Sequence, residues 1–338
     1  MRYWIIDCGA TLNADSVATA ARVGFKRVLV YPNHANMDSV VSACRNHNIG
    51  LIVMVAGWPG VARNHPEMAF RDHTGKSSFD STDTIAAPWP SLWHPQAVNL
   101  IRGQFKRAAL AAGDTLAGFA IGTGSGDASV MPINWRGCPN GHHLSQSYWC
   151  FDKWALLAYK DMYGNGTMPA AHPEDDSNFR TLRFIQDGLL NRMNELAVLA
   201  AEYGNEIWPM ILPFGSNSYL NMAAGYAHGL HGKFAKWAHE FSTDHNRRVG
   251  FLIPYVFGED GVGLPDQVAT AASMSDPRGN ACMCLVGAEV GGEDWQERLR
   301  LNSRRVRDLG LTGLICSPSH VTSAENETQV HDILQEVQ

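Results

Sequence analysis

Short apolar runs of strand type recur eight times along this chain, and longer amphipathic segments separate them. The first run is Tyr3 to Asp7. The second, Arg27 to Pro32, is reached through an Ala/Val-rich helix from Ala14 to Val23. The third, Leu51 to Gly57, follows a helix around Val40 to Asn46, and the fourth, Leu116 to Gly122, follows one from Ala97 to Ala112. The fifth, Glu206 to Phe214, comes after a long helix from Phe179 to Tyr203. Val249 to Phe257, Ala281 to Ala288 and Gly313 to Ser317 complete the set, and a helix from Glu325 to Val337 ends it. Eight such units predict an α/β chain folded as one (β/α)8 TIM barrel over residues 1–338. A doubly wound open sheet is the alternative. It normally wants fewer strands, and often a Gly-x-Gly-x-x-Gly turn after strand one, where this chain reads Asp7-Cys-Gly-Ala-Thr11.

A barrel of this kind needs about 250 residues, and this chain has 338. The surplus lies in two connections. Gly57 to Pro95 carries Trp58, Trp89 and Trp93; the insertion at residues 123–178 carries Trp135, Trp149 and Trp154. Both leave the carboxyl ends of strands, three and four, where long loops build sites. Tryptophans there suit the apolar faces of sugar rings. The alternative is that they pack the loops onto the barrel.

The net charge of −6 and the absence of a Lys/Arg tract argue against a nucleic-acid partner. The arginines at 298, 300, 304, 305 and 307 spread around a predicted helix and read as a solvated outer face. Seven cysteines scattered through the chain are not a disulfide framework. Cys282 and Cys284 read as small hydrophobes on one side of a strand. Met1 to Asp7 enters a strand at once, and no run spans a membrane. A cytoplasmic protein is therefore expected, although a trimmed secreted form would read the same.

The most informative segment is Cys282-Met-Cys-Leu-Val-Gly-Ala-Glu289, followed by Val-Gly-Gly-Glu-Asp-Trp295. It sets a carboxylate at the carboxyl end of strand seven, on the catalytic face of a barrel. Reading the other strand ends adds Asp7, Asn33 with His34, Trp58, Asp127, Asn217, Tyr255 with Glu259, and Ser317 with His320. Carboxylates dominate this ring. Two of them across a pocket are the equipment of glycoside hydrolysis, one donating a proton to the leaving oxygen and the other attacking or activating water.

The segment Pro66-Glu-Met-Ala-Phe-Arg-Asp-His-Thr-Gly75, then Trp93-His-Pro95, then Phe151-Asp-Lys-Trp-Ala-Leu-Leu-Ala-Tyr-Lys-Asp-Met-Tyr-Gly164, then Glu289 to Trp295 resembles the clan A glycoside hydrolases. It is most similar to the catalytic barrel of family 42 β-galactosidases. That resemblance implies a retaining β-glycosidase without a cofactor, with Glu289 as nucleophile. Where the clan carries Asn-Glu at the end of strand four, this chain reads Ala120-Ile-Gly-Thr-Gly-Ser-Gly-Asp127. Asp127 is then the candidate acid/base, and Glu259 the reserve for either role. Asn205-Glu206 opens strand five, on the stability face, and is set aside.

Each candidate has a local alternative. Glu289 reads also as a cap for the helix beginning near Asp294, although Asp294 and Glu293 already supply that cap. Asp127 reads also as a turn aspartate. Asn33, His34 and His320 bind sugar hydroxyls or are simply solvated. Cys138, His142, His143 and Cys150 form a structural zinc site or remain free thiols and imidazoles, the latter fitting the spacing better. Two rival functions stay open: a metal-dependent barrel such as a sugar isomerase, and a carbohydrate-binding barrel without activity. A carbohydrate is the expected partner in either glycosidase or binding form, with self-association left open.

Overall fold

The computed structural model describes residues 2–7, 12–55, 64–71, 75, 77, 90–122, 150–164, 168, 180–211, 233–253, 282–288, 294–316 and 318–337. For β1 apart from Trp4, and for β7, it describes the backbone. Eight parallel strands close into a barrel in sequence order. They are β1 (Arg2–Asp7), β2 (Phe25–Val30), β3 (Gly50–Val55), β4 (Leu116–Ile121), β5 (Glu206–Pro209), β6 (Arg248–Ile253), β7 (Cys282–Ala288) and β8 (Gly313–Cys316). The ring is sealed by β1 on β8, Arg2 facing Gly313 and Ile5 facing Cys316. The helices are α1 (Ala14–Arg22), α2 (Met37–His47), α3 (Ala97–Ala112), α4 (Lys153–Tyr163), α5 (Arg180–Ala201), α6 (residues 233–245), α7 (Trp295–Asp308), α8 (Pro318–Val321) and α9 (Glu327–Val337).

Alternation along the strands sorts two cores. Trp4, Leu29, Ile52, Met54, Ala120, Trp208, Met210, Leu252 and Ile315 fill the barrel interior. Intervening residues such as Val28, Val53, Phe119, Ile207 and Phe251 face the helices. The period of two along each strand requires this division. Each fully buried Leu, Ile or Val contributes about 1.5–3 kcal/mol. Trp4 and Trp208 meet edge to face, centroids 4.2 Å apart, and plug the barrel's middle.

Two strand ends differ from expectation for a local reason. β2 stops at Val30 because Tyr31-Pro-Asn-His34 turns back on itself, the His34 N–H reaching the Tyr31 carbonyl at 3.1 Å. Pro32 sits at the second position of that turn, where its fixed φ is favoured. β5 was expected to run to Phe214 but ends at Pro209, which has no N–H to give to the ladder. Pairing resumes only as an isolated bridge, Met210 to Leu252.

The arginine-rich helix α7 is an outer face, as its pattern predicts. Arg300 and Arg304 both bind Glu336 of α9. Asp294 occupies the N-cap of α7, yet its carboxylate makes no capping hydrogen bond, so the expected cap from that residue is not formed. Among the described residues no helix is long and apolar enough to cross a membrane.

Candidate functional site

Strand order sends the connections after β3 and β4 out of the same mouth of the barrel. They are tied to each other there. Arg71, from the connection after β3, bridges both Ser77 and Cys150. Its carbonyl takes the Phe151 N–H at 2.9 Å, and its Nη1 donates to the Gly75 carbonyl at 2.8 Å. The Ser91 N–H reaches back to the Met68 carbonyl at 2.7 Å. The segment Pro66 to Gly75 and the start of the Phe151 to Gly164 helix therefore form one cross-linked platform.

Arg192 of α5 fastens that platform from below. Its Nη2 donates to the carbonyls of Ser91, Leu92 and His94, the last at 3.2 Å. Glu195 stands 3.4 Å from Nη1. Burial lowers the pKa of this guanidinium, and Glu195 opposes the shift. Asp152 caps α4 by accepting from the Trp154 and Ala155 N–H groups, both at 3.1 Å. Burial still raises its pKa above the ordinary carboxylate range, because loss of water outweighs the two amide donors.

Two histidines begin helices in the same way. Tyr31 to Met37 and Ser91 to Ala97 both make a four-residue turn closed onto a histidine N–H. In each, histidine Nδ1 then accepts the N–H two residues on: Asn36 to His34 and Gln96 to His94, both at 3.2 Å. With Nδ1 an acceptor, the neutral ring carries its proton on Nε2. His34 is buried, and at least one nitrogen serves local structure, which is a use its sugar-binding reading did not anticipate. Asn33 is exposed in the same turn. His94 packs edge-on to Trp154, centroids 5.2 Å apart. Burial lowers its pKa, with Arg192 and His65 adding to the shift and Glu67 opposing it.

Trp93 takes the packing role rather than the stacking one. Its ring lies flat on Phe184 at 4.3 Å and edge-on to Phe70 at 6.4 Å. Gly188 leaves it room, since a Cβ there would stand 2.6 Å from the indole. Cys150 is a buried free thiol with its sulfur 3.3 Å from that of Met168. Burial pushes its pKa well above the ordinary thiol value. Among the described residues no group of three or more His, Cys, Asp or Glu could hold a metal.

Of the other residues singled out from sequence, Glu289, Asp127, Glu259, Trp58, Trp135, Asn217, Tyr255, Ser317, Cys138, His142 and His143 lie outside the described residues, as does the Glu293 half of the proposed cap. Asp7 is the last residue of β1, paired with Val30, and His320 lies on α8; both are described by backbone alone. Sequence reasoning passed over Tyr31, His94, Asp152 and Arg192. Tyr31 was within reach: two residues beyond inward-facing Leu29, it packs on the barrel interior at the carboxyl end.

No protein-family model matches the sequence, and no curated protein matches it. Solved structures do. The catalytic domain of a beta-amylase from Paenibacillus polymyxa superimposes with a TM-score of 0.67 at 11% identity, over 100% of this chain and 98% of that one. A xyloglucanase from Bacteroides ovatus, solved with a heptasaccharide, gives 0.43 at 11% identity over 97% and 68%. A D-psicose 3-epimerase from Clostridium cellulolyticum, solved with D-tagatose, gives 0.39 at 12% over 100% and 96%. The beta-amylase likeness, at so low an identity, shows the fold alone: a (β/α)8 barrel.

Proposed function

We propose that this barrel is a glycoside hydrolase acting on a β-linked glycoside or oligosaccharide at its carboxyl-terminal mouth. The carrying observation is the pairing of β7. Ala288, the last described residue of β7, pairs with Cys316 of β8 at the carboxyl end of the strand, where barrels do their chemistry, and Glu289 follows it in sequence. The cross-linked platform after β3 and β4 rises at the same mouth and contains two of the segments that resemble family 42. The full-length fold likeness to the catalytic domain of a beta-amylase is compatible with this reading, though fold alone does not carry function.

In the proposed reaction Glu289 attacks the anomeric carbon while Asp127 gives its proton to the departing oxygen. Asp127 then takes a proton from the water that hydrolyses the glycosyl-enzyme, and the configuration is retained. This needs the two carboxyl groups about 5–5.5 Å apart, with environments that keep Glu289 ionised and Asp127 protonated. Asp7, Asn33, His34, Trp58, Trp135, Asn217, Tyr255 and His320 are the residues to hold the sugar, and Glu259 is the reserve carboxylate.

The test is labelling with a mechanism-based 2-fluoro sugar, chosen from a panel of aryl β-glycosides that the protein hydrolyses, followed by peptide mapping. A label on Glu289 supports the mechanism. A label on Glu259, or no hydrolysis of any glycoside, overturns it. For Asp127, the alanine variant should lose far more activity on unactivated than on activated aryl glycosides, and azide should restore it as a glycosyl azide.

A further inference from the structure

The opposite mouth of the barrel contains a cavity of about 550 Å³, in the size range of small-molecule sites. Its polar lining includes Arg27, Arg247, Arg248, Glu206, Asn205 and Asn246. Strand pairing gathers most of it: Glu206 faces Arg248 across β5 and β6 and faces Gly118 across β4 and β5. We infer that this cavity binds a small oxyanion of the phosphate class, through the guanidinium groups of Arg247 and Arg248.

The argument turns on which charges are already matched. Both Glu206 oxygens are held by Arg27, Oε1 at 2.5 Å and Oε2 at 3.1 Å, and Oε2 also accepts the Trp208 indole N–H at 3.3 Å. Arg27 and Glu206 therefore cancel. Arg248 stands off at 3.9 Å from the same carboxylate, with its side chain 63% exposed. Arg247 spends its donors on carbonyls, on Ala201 at 3.0 and 3.3 Å and on Asn246 at 3.3 Å. Among the described residues no carboxylate neutralises Arg247, and two positive charges remain on the cavity wall.

Those carbonyls close helices. Ala201 ends α5, and Asn246, at φ 50°, ends α6. Each helix end brings roughly −0.5 charge, so the wall keeps a net charge of about +1. Unlike a metal ion, a tetrahedral anion is suited to such a wall. The planar fork of Arg248 can donate two parallel hydrogen bonds to a phosphoryl group, Arg247 adds its charge behind it, and the Asn205 and Asn246 amides can donate as well. A concave site of this size on a chain of net charge −6 fits a small phosphorylated molecule rather than nucleic acid. The barrel interior from Trp4 to Met210 is packed between the two mouths, so this site does not share the proposed sugar cleft.

Calorimetric titration of inorganic phosphate into the intact protein, at low ionic strength in a phosphate-free buffer, tests it. One saturable site per chain is expected, weakened at least tenfold by Arg248→Ala and competed by sulfate. Arg248 is largely exposed, so that variant should keep its fold; Arg248→Lys, which retains charge but loses the fork, should weaken binding less than Arg248→Ala. A sugar phosphate binding tenfold tighter than inorganic phosphate identifies a phosphorylated metabolite as the occupant; equal binding identifies free phosphate. Absence of saturable binding, or equal phosphate affinity in wild type and Arg248→Ala, overturns the proposal. None of these readouts depends on glycosidase activity.

Discussion

The two mouths of the barrel are built on different terms. At the amino-terminal mouth, Glu206 meets Arg27 from 179 positions away because strand register brings both to the same level. Gly118 lets β4 and β5 approach so closely that a Cβ on it would lie 1.9 Å from the Glu206 carbonyl oxygen. Nothing there needs a loop. At the carboxyl-terminal mouth the described structure is turns, caps and bridges: His34 and His94 starting helices, Arg71 joining two connections, Arg192 holding a turn by its carbonyls. A carboxylate fixed by register and matched by an arginine contributes stability. The proposed mechanism draws its carboxylates from the connections at the other mouth, where barrels carry their chemistry.

Exchanging the same atoms at the two mouths is the strongest way to break that contrast. Glu289→Gln should cost on the order of 10⁴-fold in turnover, since the covalent intermediate loses its oxygen nucleophile. Glu206→Gln should leave turnover nearly intact when assayed well below the melting temperature. The comparison fails if kinetics on the purified variants show the reverse. The next effect is on stability. Glu206→Gln leaves Arg27 partly buried without its carboxylate, a loss of about 3 kcal/mol, toward the low end for broken buried pairs because Arg27 keeps some water. Urea unfolding measures it, and a midpoint unchanged from wild type would mean the pair holds nothing.

Sequence alone revealed the amino-terminal mouth's location but not its content. The alternation that marks Glu206 as the start of β5 is local, and it correctly assigned that residue to the stability face. Its partner Arg27 sits in a different strand, and no local pattern connects them. The barrel itself was legible because the period of two and the period of 3.6 repeat eight times, and α3 was expected over the residues it occupies. Strand ends were less legible, because Pro209 and the Tyr31 to His34 turn act through single backbone hydrogen bonds. The shared turn at His34 and His94 was hidden altogether: Tyr-Pro-Asn-His and Ser-Leu-Trp-His have only the histidine in common.

A smaller effect sharpens the picture of the carboxyl-terminal platform. Gly188→Ala on α5 would drive a methyl to 2.6 Å from the Trp93 ring. Alanine normally favours a helix by up to about 1 kcal/mol over glycine. Here overpacking should reverse the sign and cost about 1–3 kcal/mol. Trp93→Leu in the same background should recover part of that loss, because it vacates the space. If Gly188→Ala stabilises the protein in thermal unfolding, Trp93 is free to move and its role as a stacking surface reopens.

The smallest effect concerns His94 and pH. Burial holds its folded-state pKa below the ordinary value, so the unfolded chain binds this proton more readily than the folded one. The ring therefore adds no pH dependence at alkaline pH, where it is neutral in both states. Stability should start to fall as pH drops through about 6.5, the unfolded value, and the loss should level off once the folded ring is protonated too. Protonation of Nδ1 would also end its acceptance of the Gln96 N–H. His94→Asn keeps a short acceptor for that amide and removes the titration. Urea midpoints of wild type and variant, compared between pH 8 and pH 5, should diverge only below neutrality, with wild type losing more. Parallel curves would mean that the platform exposes His94 to water, and that the turn it shares with His34 is looser than its hydrogen bonds imply.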